Sequence, residues 1–502
     1  MVFVAPQKQI CSLGGKISTR LYVGLMLFAS CFVSYMLRVN MSINILAMVH
    51  HQEVEMIGDD NITAIVEPNY GPRYNWSASE QSFLLGSYFW GYLVTSLPGG
   101  ILAEWLGGRA VVGYTLAGSA VITALTPIAA GISYWFVFGI RLITGVLAGV
   151  LYPSLHNLIS KWAPPDERGK FISALLGGTF GTVITWPLAG ILTETLGWVY
   201  AFYVPAIITA VVTILWFVFI YDSPGQHPRI DQTEREHIEK ALGGNISKKK
   251  AMPPFGNLLT SVPFLALTVL HYGNLWGLYF LITAAPKFMS EVLGFNIAQA
   301  GILASLPYLA RLFSGFIFGS IGDALTKSEV MSVTSIRKSF CLFSHILPGL
   351  CLIGLAYVGH HPYWCVAVIT ISLGFNGAST LTNLQNSQDL APNYAGTLYG
   401  VINFIGTTTG FLTPMVVGHF SIKNTLEEWS IIFIIAAVAY IIPAFVFILF
   451  GSGQVLIEAS KRIILFIYIF NLYGFRYNLG MNRKRPTKKQ AMIPCNNRHN
   501  FR

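Results

Sequence analysis

The chain has 502 residues, of which 53% are hydrophobic and only 11% are charged. This balance excludes a soluble globular protein, in which about a quarter of the residues carry charge. The formal net charge of +10 does not indicate nucleic-acid binding, because ten Lys and Arg but only one acidic residue lie from position 451 onward. The sequence therefore predicts an all-α membrane protein with a basic tail.

Twelve apolar runs are long enough for a helix to cross about 30 Å of hydrocarbon. Six are predicted near 21–49, 80–101, 109–130, 133–160, 170–193 and 198–221. The other six are predicted near 260–286, 296–320, 331–358, 363–384, 395–419 and 430–450. The predicted organisation is a tail over 1–20, a six-helix bundle over 21–221, a linker over 222–259, a second six-helix bundle over 260–450, and a tail over 451–502.

The distribution of Lys and Arg predicts that both termini and the linker are cytoplasmic. Only Arg73, Lys287 and Lys423 fall in the predicted outward segments before position 451. The outward loop 50–79 contains two Asn-x-Ser/Thr sequons, at Asn61 and Asn75, and we expect glycosylation there. No sorting signal decides between the plasma membrane and a lysosomal or vesicular membrane.

The two predicted bundles echo one another in sequence. The first contains Pro187-Leu-Ala-Gly190 and the second Pro414-Met-Val-Val-Gly418. A parallel repeat of this kind is typical of two fused bundles around a central site.

A more specific motif follows the second predicted span, at Gly100-Ile-Leu-Ala-Glu104-Trp-Leu-Gly107-Gly-Arg109. It resembles a loop pattern of the major facilitator superfamily, and Asp323 occupies the equivalent place in the second half. We expect Glu104 and Arg109 to form a conformational latch at the cytoplasmic ends. The alternative is that they are ordinary positive-inside and helix-cap residues.

Three arginines, Arg38, Arg141 and Arg311, fall inside predicted spans, where an unpaired charge costs several kcal/mol. Guanidinium groups on two helices can bind a carboxylate or phosphate bidentately. Tyr152 and His156 fall roughly on the same helical face as Arg141. Alternatives stay open: Arg38 could snorkel to an interface, Arg311 could pack near the linker, and His156 could be a packing residue or a proton carrier.

Several separated stretches, in order along positions 20 to 453, resemble the sodium/phosphate and organic anion cotransporters, a family that includes sialin and the vesicular glutamate transporters. These stretches are Tyr35 to Ser42, Gly86 to Tyr92, Leu97 to Gly100, Lys161 to Arg168, Phe295-Asn296 with Ser305 to Tyr308, and Asp389 to Gly396. The resemblance implies a major facilitator fold of twelve helices and anion transport coupled to H⁺ or Na⁺.

The resemblance also implies a set of substrate-binding residues: Arg38, Arg141, His156, Asn274, Trp276, Tyr279 and Asn386. Tyr152 is added to this set because it falls on the same helical face as Arg141. Glutamate carriers have Arg where Asn274 stands, which disfavours glutamate as the substrate. Many proton-coupled relatives have Glu where this chain has Ala148, so the coupling ion stays open between Na⁺ and H⁺.

The favoured hypothesis is a secondary active transporter that moves inorganic phosphate or a small organic anion by alternating access. It requires a small anion, membrane lipid and a coupling ion, but no cofactor, no metal and no nucleic acid, and we expect a monomer. The alternative is a non-transporting scaffold or anion sensor that kept the fold. An enzyme is disfavoured, because the sequence contains no paired cavity carboxylates, nucleophile motif or metal-spaced His/Cys cluster.

Overall fold

The structure, a computed structural model, describes residues 18–50, 68–164, 167–242, 260–358, 361–390 and 395–454. Regular structure in these residues is helical, apart from a single bridge that pairs Val49 with Tyr74. The predicted all-α class is therefore confirmed. The sequon Asn61 and almost all of the tail 451–502 lie outside the described residues.

The described residues of the first half form ten α-helices. They are α1 (Thr19–Met48), α2 (Ala78–Ser96), α3 (Gly99–Leu106), α4 (Gly108–Ile132), α5 (Tyr134–Gly149), α6 (Leu151–Trp162), α7 (Arg168–Ser173), α8 (Gly177–Leu196), α9 (Tyr200–Phe219) and α10 (Gln232–Leu242). The second predicted span is broken at Leu97 and Pro98, because proline removes a backbone donor. The fourth predicted span likewise continues from α5 into α6 through Val150.

The second half contains nine α-helices and three π-helical segments. The α-helices are α11 (Val262–Lys287), α12 (Ile297–Ser328), α13 (Val333–Cys341), α14 (Leu347–Val358), α15 (Pro362–Asn376), α16 (Gln385–Leu390), α17 (Ala395–Thr407), α18 (Thr409–Phe420) and α19 (Leu426–Phe450). The π-helical segments are Phe288–Val292, Leu342–Ile346 and Thr380–Leu384. The first extends α11, and the other two connect α13 with α14 and α15 with α16 into longer spans. π-Helical turns of this kind occur frequently at functional sites.

Eleven helical stretches in the described part of the chain are long and apolar enough to cross a membrane. The pair α2 and α3 covers the remaining predicted span. Large apolar side chains on these helices point outward: Trp105 is 80% exposed, and Val94 and Leu449 are each 69% exposed. Such a surface is stable only when lipid covers it, so the chain is a multi-pass membrane protein.

Two sides of the molecule are named from the residues at the ends of α1. The side where Tyr74 donates to the Met48 carbonyl oxygen is called the sequon side, and the side where Glu234 of the linker accepts from Thr19 is called the linker side. On the sequon side, α2 begins with a capping box in which Ser77 accepts from the Glu80 amide and Glu80 accepts from the Ser77 amide. Asn296 and Gln299 form the same arrangement at the start of α12. These caps fix where the helices of both halves begin, since each satisfies otherwise unpaired backbone donors.

The repeated stretches Pro187 to Gly190 and Pro414 to Gly418 lie at the contact between the two halves. A methyl group added at Gly190 of α8 would lie 2.8 Å from the Ile297 carbonyl oxygen at the start of α12. A methyl group added at Gly418 of α18 would lie 2.2 Å from the Ser82 hydroxyl on α2. Equivalent helices of the two halves thus use equivalent glycines to pack against the opposite half, on the sequon side.

On the linker side, the linker contacts the first helix directly. The Glu234 carboxylate of α10 accepts hydrogen bonds from the backbone amides of Thr19 (2.9 Å) and Arg20 (3.1 Å). It also accepts from Arg20 Nε at 2.9 Å, while Arg20 Nη1 donates to Glu167 at 2.6 Å. The first 21 residues of the predicted linker therefore form an ordered extension of the first half, a feature that the sequence did not predict.

Candidate anion site between the two halves

Arg38 lies in the middle of α1 and is 95% buried, since only 5% of the residue is exposed. Its guanidinium carbon lies over five aromatic rings: Phe89 (4.7 Å), Tyr279 (4.8 Å), Tyr35 (5.1 Å), Tyr88 (5.4 Å) and Tyr92 (5.6 Å). Each contact contributes about 0.5–2 kcal/mol, but a ring face replaces no hydrogen-bond acceptor. Arg38 Nε and Nη2 have no hydrogen-bond partner among the described residues.

Arg141 on α5 is the second buried cation of this site. It is also 5% exposed, and its guanidinium carbon lies 5.1 Å from the centre of the Tyr88 ring. Its Nε likewise has no hydrogen-bond partner in the described structure. Tyr88 therefore contacts both guanidinium groups, and neither forms an ion pair with a described carboxylate.

Both buried guanidinium groups contact the same ring and lack an anionic partner. A bound anion could supply that partner. Unpaired buried charges are costly, and their repulsion rises in a medium of low dielectric constant. A carboxylate or phosphate placed between them would supply acceptors for the open N–H donors and remove that repulsion. We call Arg38, Arg141 and the rings around them the arginine–tyrosine site.

Close packing of α2 against α5 positions Tyr88 and Arg141. A methyl group at Gly145 would lie 1.9 Å from the Tyr88 carbonyl oxygen, and one at Gly149 would lie 2.5 Å from the Tyr92 carbonyl oxygen. These two glycines therefore allow α5 to pack closely against α2.

The other predicted binding residues of the first half are divided between the site and its surroundings. Tyr152 on α6 is half-buried and contacts Tyr35, one of the rings of the site. The two ring centres are 6.3 Å apart, and the ring planes meet at 81°. His156 lies one helical turn further along α6 and is exposed.

The second half contributes Tyr279 to the site, whereas the described hydrogen bond of Asn274 belongs to an amide network of the second half. Asn274 accepts a hydrogen bond from Asn376 at 2.8 Å, and Asn376 in turn accepts one from Arg311 Nε at 3.0 Å. Arg311 is therefore a partnered arginine in a buried amide network. Trp276 is half-buried and packs near Tyr272.

Asn386 lies elsewhere in the described structure. Its amide donates to the Ser452 carbonyl oxygen at 2.9 Å, beyond the end of α19. The neighbouring Asp389 forms a bidentate ion pair with Arg337, with contacts of 2.7 and 3.2 Å. Asn386 thus joins helix ends on the linker side, and none of its described contacts reaches the arginine–tyrosine site.

The latch expected between Glu104 and Arg109 does not form in this structure. The Arg109 amide donates to Asp222 at 2.9 Å and its guanidinium to the Phe217 carbonyl oxygen at 2.6 Å. Glu104 and Asp323 are exposed and form no ion pair with a described residue. The correction has a physical reason: α3 ends at Gly107 (φ 87°), and the reversal directs Arg109 toward the end of α9.

Gly107 is required twice at this turn. Its positive φ is strained for residues with a side chain, and a methyl group there would lie 2.6 Å from the Asp222 carboxylate. Gly100 lies in the first turn of α3, facing Pro153 at 3.9 Å. The motif from Gly100 to Arg109 therefore holds α3, α4 and the end of α9 together within the first half.

Sequence reasoning missed the aromatic part of the site and the partner of Arg109. Tyr88, Phe89 and Tyr92 lie in the stretch Gly86 to Tyr92 of the second span. They were not assigned to the site, because aromatic residues are also common on lipid-facing helices. Asp222 is separated from Arg109 by 113 positions, and no local pattern connects them.

Electrostatics on the linker side support the observed contacts of Glu234. Partial burial raises the pKa of its carboxyl, but hydrogen bonds from the Arg20 and Thr19 amides and from the Arg20 guanidinium outweigh burial and leave the pKa below its ordinary value. The carboxylate form is therefore the one that the fold stabilises.

Comparison with known proteins places this architecture in a family. Residues 23–414 match the family model described as Major Facilitator Superfamily. Human sialin is 34% identical over 450 residues, covering 87% of this chain and 90% of sialin. A Drosophila melanogaster protein named "Putative inorganic phosphate cotransporter" is 35% identical over 455 residues, covering 87% and 85%. Vesicular glutamate transporter 3 of Danio rerio is 31% identical, covering 84% and 71%.

Solved structures share the fold at lower identity. A bacterial homologue of the human lysosomal transporter Spinster, inward-facing and occupied, aligns with a TM-score of 0.64 at 15% identity, covering 87% of this chain and 97% of that one. A D-xylose–proton symporter aligns with a TM-score of 0.58 at 15% identity, covering 87% and 99%. The chain belongs to the Major Facilitator Superfamily, in the branch that contains sialin, the inorganic phosphate cotransporters and the vesicular glutamate transporters.

Proposed function

We propose that this protein is a secondary active transporter that binds a small anion between Arg38 and Arg141. The observation that carries the proposal is the pair of buried guanidinium groups, with open donors and no described carboxylate partner, on either side of Tyr88. Relatives named as sialin, phosphate and glutamate transporters support an anionic substrate. Inorganic phosphate and small organic anions are the candidate substrates.

The transport cycle that we propose is a rocking of the two halves about this site. Arg38 and Arg141 belong to the first half, and Tyr279 brings the second half into contact with Arg38. Movement of one half against the other would therefore change the surroundings of the bound anion. The contacts at Gly190 and Gly418 close the sequon side, and separating them would open it.

Coupling to Na⁺ or H⁺ and residence in the plasma membrane or a lysosomal or vesicular membrane are parts of the same proposal. Ala148 is buried and cannot take up a proton, so a proton-coupled cycle would need another group. Asn75 is exposed on the sequon side, as glycosylation requires. Exposed His156 on the linker side of α6 is a candidate proton carrier.

Uptake into proteoliposomes tests the transport proposal. Phosphate and a panel of organic anions would be offered with Na⁺ and pH gradients imposed separately. We expect uptake of at least one anion under one of the gradients. Anion binding without any flux would instead identify an anion sensor.

The variant Arg38→Gln tests the site. It removes the charge and most donors, and we expect kcat/KM for uptake to fall by roughly 10- to 100-fold, the effect of losing a charge-assisted hydrogen bond. The matched control is Arg235→Gln, which removes an exposed arginine of the linker helix. Native uptake by folded Arg38→Gln would show that the anion binds elsewhere.

A further inference from the structure

A small cavity lies between the halves on the sequon side of the arginine–tyrosine site. It has a volume of about 20 Å³, and α1, α2, α11 and α18 all contribute to its wall. Its polar lining consists of Ser42, Gln81, Ser82, Thr283 and Lys287. The volume suffices for about one water molecule but not for a phosphate or carboxylate. The cavity would therefore admit such a ligand only if the halves separated here.

Lys287 is the one cation in the lining of this cavity. The residue is 9% exposed, and its ammonium nitrogen donates to the Ser421 hydroxyl at 3.3 Å. Glu291 is the nearest carboxylate, at 3.7 Å, a distance beyond that of a hydrogen bond. The same Glu291 oxygen already accepts from the Asn424 amide at 2.5 Å. Since an ammonium has three donors, Lys287 retains donor capacity for a further acceptor.

Two rows of polar side chains connect this cavity with Arg38. On α1, Ser42 lies one turn from Arg38 on the same helical face. On α11, Tyr279, Thr283 and Lys287 follow one another at intervals of four residues, and Tyr279 lies over the Arg38 guanidinium. Lys287 is therefore about 12 Å along α11 from the ring that contacts Arg38. The rows come from opposite halves and line one path.

We infer that Lys287 forms an outer anion-binding site, which receives the substrate from the sequon side before it reaches Arg38 and Arg141. The ligand is a small oxyanion, a carboxylate or phosphate, held by the ammonium and by the Ser82 hydroxyl. The Ser42 and Thr283 hydroxyls donate to the Val39 and Tyr279 carbonyl oxygens in this structure, and would turn toward the ligand when it binds. Separation of α2 from α18 exposes the site, and closure drives the anion inward along the two rows. This inference rests on the proposed function.

The test compares Lys287→Gln with Lys423→Gln. Lys423 is exposed in the nearby 421–425 connection and lies outside the cavity lining, so it controls for the loss of one positive charge on this side. Uptake of the transported anion from the sequon side should show a KM about tenfold higher in Lys287→Gln, with kcat retained. The KM from the linker side and both KM values of Lys423→Gln should be unchanged.

Glu291→Gln separates an anion-binding role from a structural ion pair. Its carboxylate lies beside the ammonium and repels an incoming anion, so its neutralisation should lower the KM from the sequon side. If the pair were only structural, both variants would instead lose folded protein in the same way. Should Lys287→Gln not fold, an unchanged KM in Glu291→Gln would overturn the inference.

The outcomes also distinguish this inference from the proposed function. An unchanged sequon-side KM in folded Lys287→Gln, with wild-type uptake and a defective Arg38→Gln, would overturn the outer site and leave the central site standing. Absence of anion flux in the wild-type protein would overturn the proposed function itself.

Discussion

At the scale of single residues, the distinctive feature is a tyrosine shared by two arginines. The Tyr88 ring lies 5.4 Å from the guanidinium of Arg38 and 5.1 Å from that of Arg141. It separates two like charges in a buried environment and offers each a negative ring face. The ring is therefore part of how the fold tolerates the arginines when no substrate is bound.

Tyr88→Ala should lower the stability of the substrate-free protein by about 2 kcal/mol, because two cation–π contacts are lost. Added substrate should raise the thermal unfolding midpoint more in this variant than in the wild type. Tyr88→Phe keeps the ring and serves as the control. If Phe destabilised as strongly as Ala, the hydroxyl and not the ring would be the stabilising group.

The sequence predicted the two arginines of the site, but not most of the aromatic rings that surround them. Arg38 and Arg141 are recognisable because arginine in an apolar run has few explanations other than a cavity or a partner. The rings of Tyr35, Tyr88 and Phe89 are not recognisable in this way, since tyrosine and phenylalanine are common on any face of a membrane helix. Asn386 was assigned to the site by resemblance, whereas its described hydrogen bond reaches Ser452.

At the scale of helices, glycines decide which ends of the halves can meet. Gly418 of α18 and Gly190 of α8 occupy equivalent places in the two bundles and contact α2 and α12. The short repeat predicted two related bundles, but the location of its glycines at the contact could not be read from sequence. Contacts between elements far apart in the chain leave no local pattern.

Gly418→Val should disfavour the state closed on the sequon side. The added side chain would overlap Ser82, and the overlap is relieved when α18 moves away from α2. We expect an impermeant maleimide applied from the sequon side to label Ile45→Cys, in the cavity wall, faster when Gly418→Val is also present. Gly354→Val is the matched control, because nothing lies within 4 Å of a methyl group there. Equal labelling in the two double variants would contradict the gating role of Gly418.

At the scale of the whole molecule, apolar run lengths were sufficient to predict the fold. Twelve spans follow from the physics of crossing a lipid bilayer, and the described helices agree with that count apart from breaks such as Pro98. The contacts of the linker, in contrast, were not predicted from the sequence. Its charges predicted a spacer, whereas residues 222–242 contact the first half through Asp222 and Glu234.

The contact between Glu234 and α1 should make stability depend on pH. Because hydrogen bonds lower the pKa of this carboxyl in the folded protein, its stabilisation is complete above the ordinary pKa of a glutamate. It is lost as the pH falls from that value through the lowered one. We expect Glu234→Gln to cost roughly 1 kcal/mol at neutral pH, the usual effect of losing a helix cap.

Thermal unfolding of wild type and Glu234→Gln at a series of pH values measures this effect. The two midpoints should differ at neutral pH and converge in acid. Glu236→Gln, on the same helix but without a contact to α1, controls for the loss of one carboxylate. A constant difference across the pH series would show that the carboxylate charge is not what stabilises α1.

The cap that Glu234 places on Thr19 also has a consequence for dividing the protein into its two halves. A first-half polypeptide that stopped at Phe219 would begin its first membrane helix with two unsatisfied amides and would leave Gly107 and Arg109 without Asp222. One that continued to Leu242 would contain every group that these residues contact. The functional boundary between the halves thus falls after α10, and co-expressed halves should reassemble best when the gene is cut there.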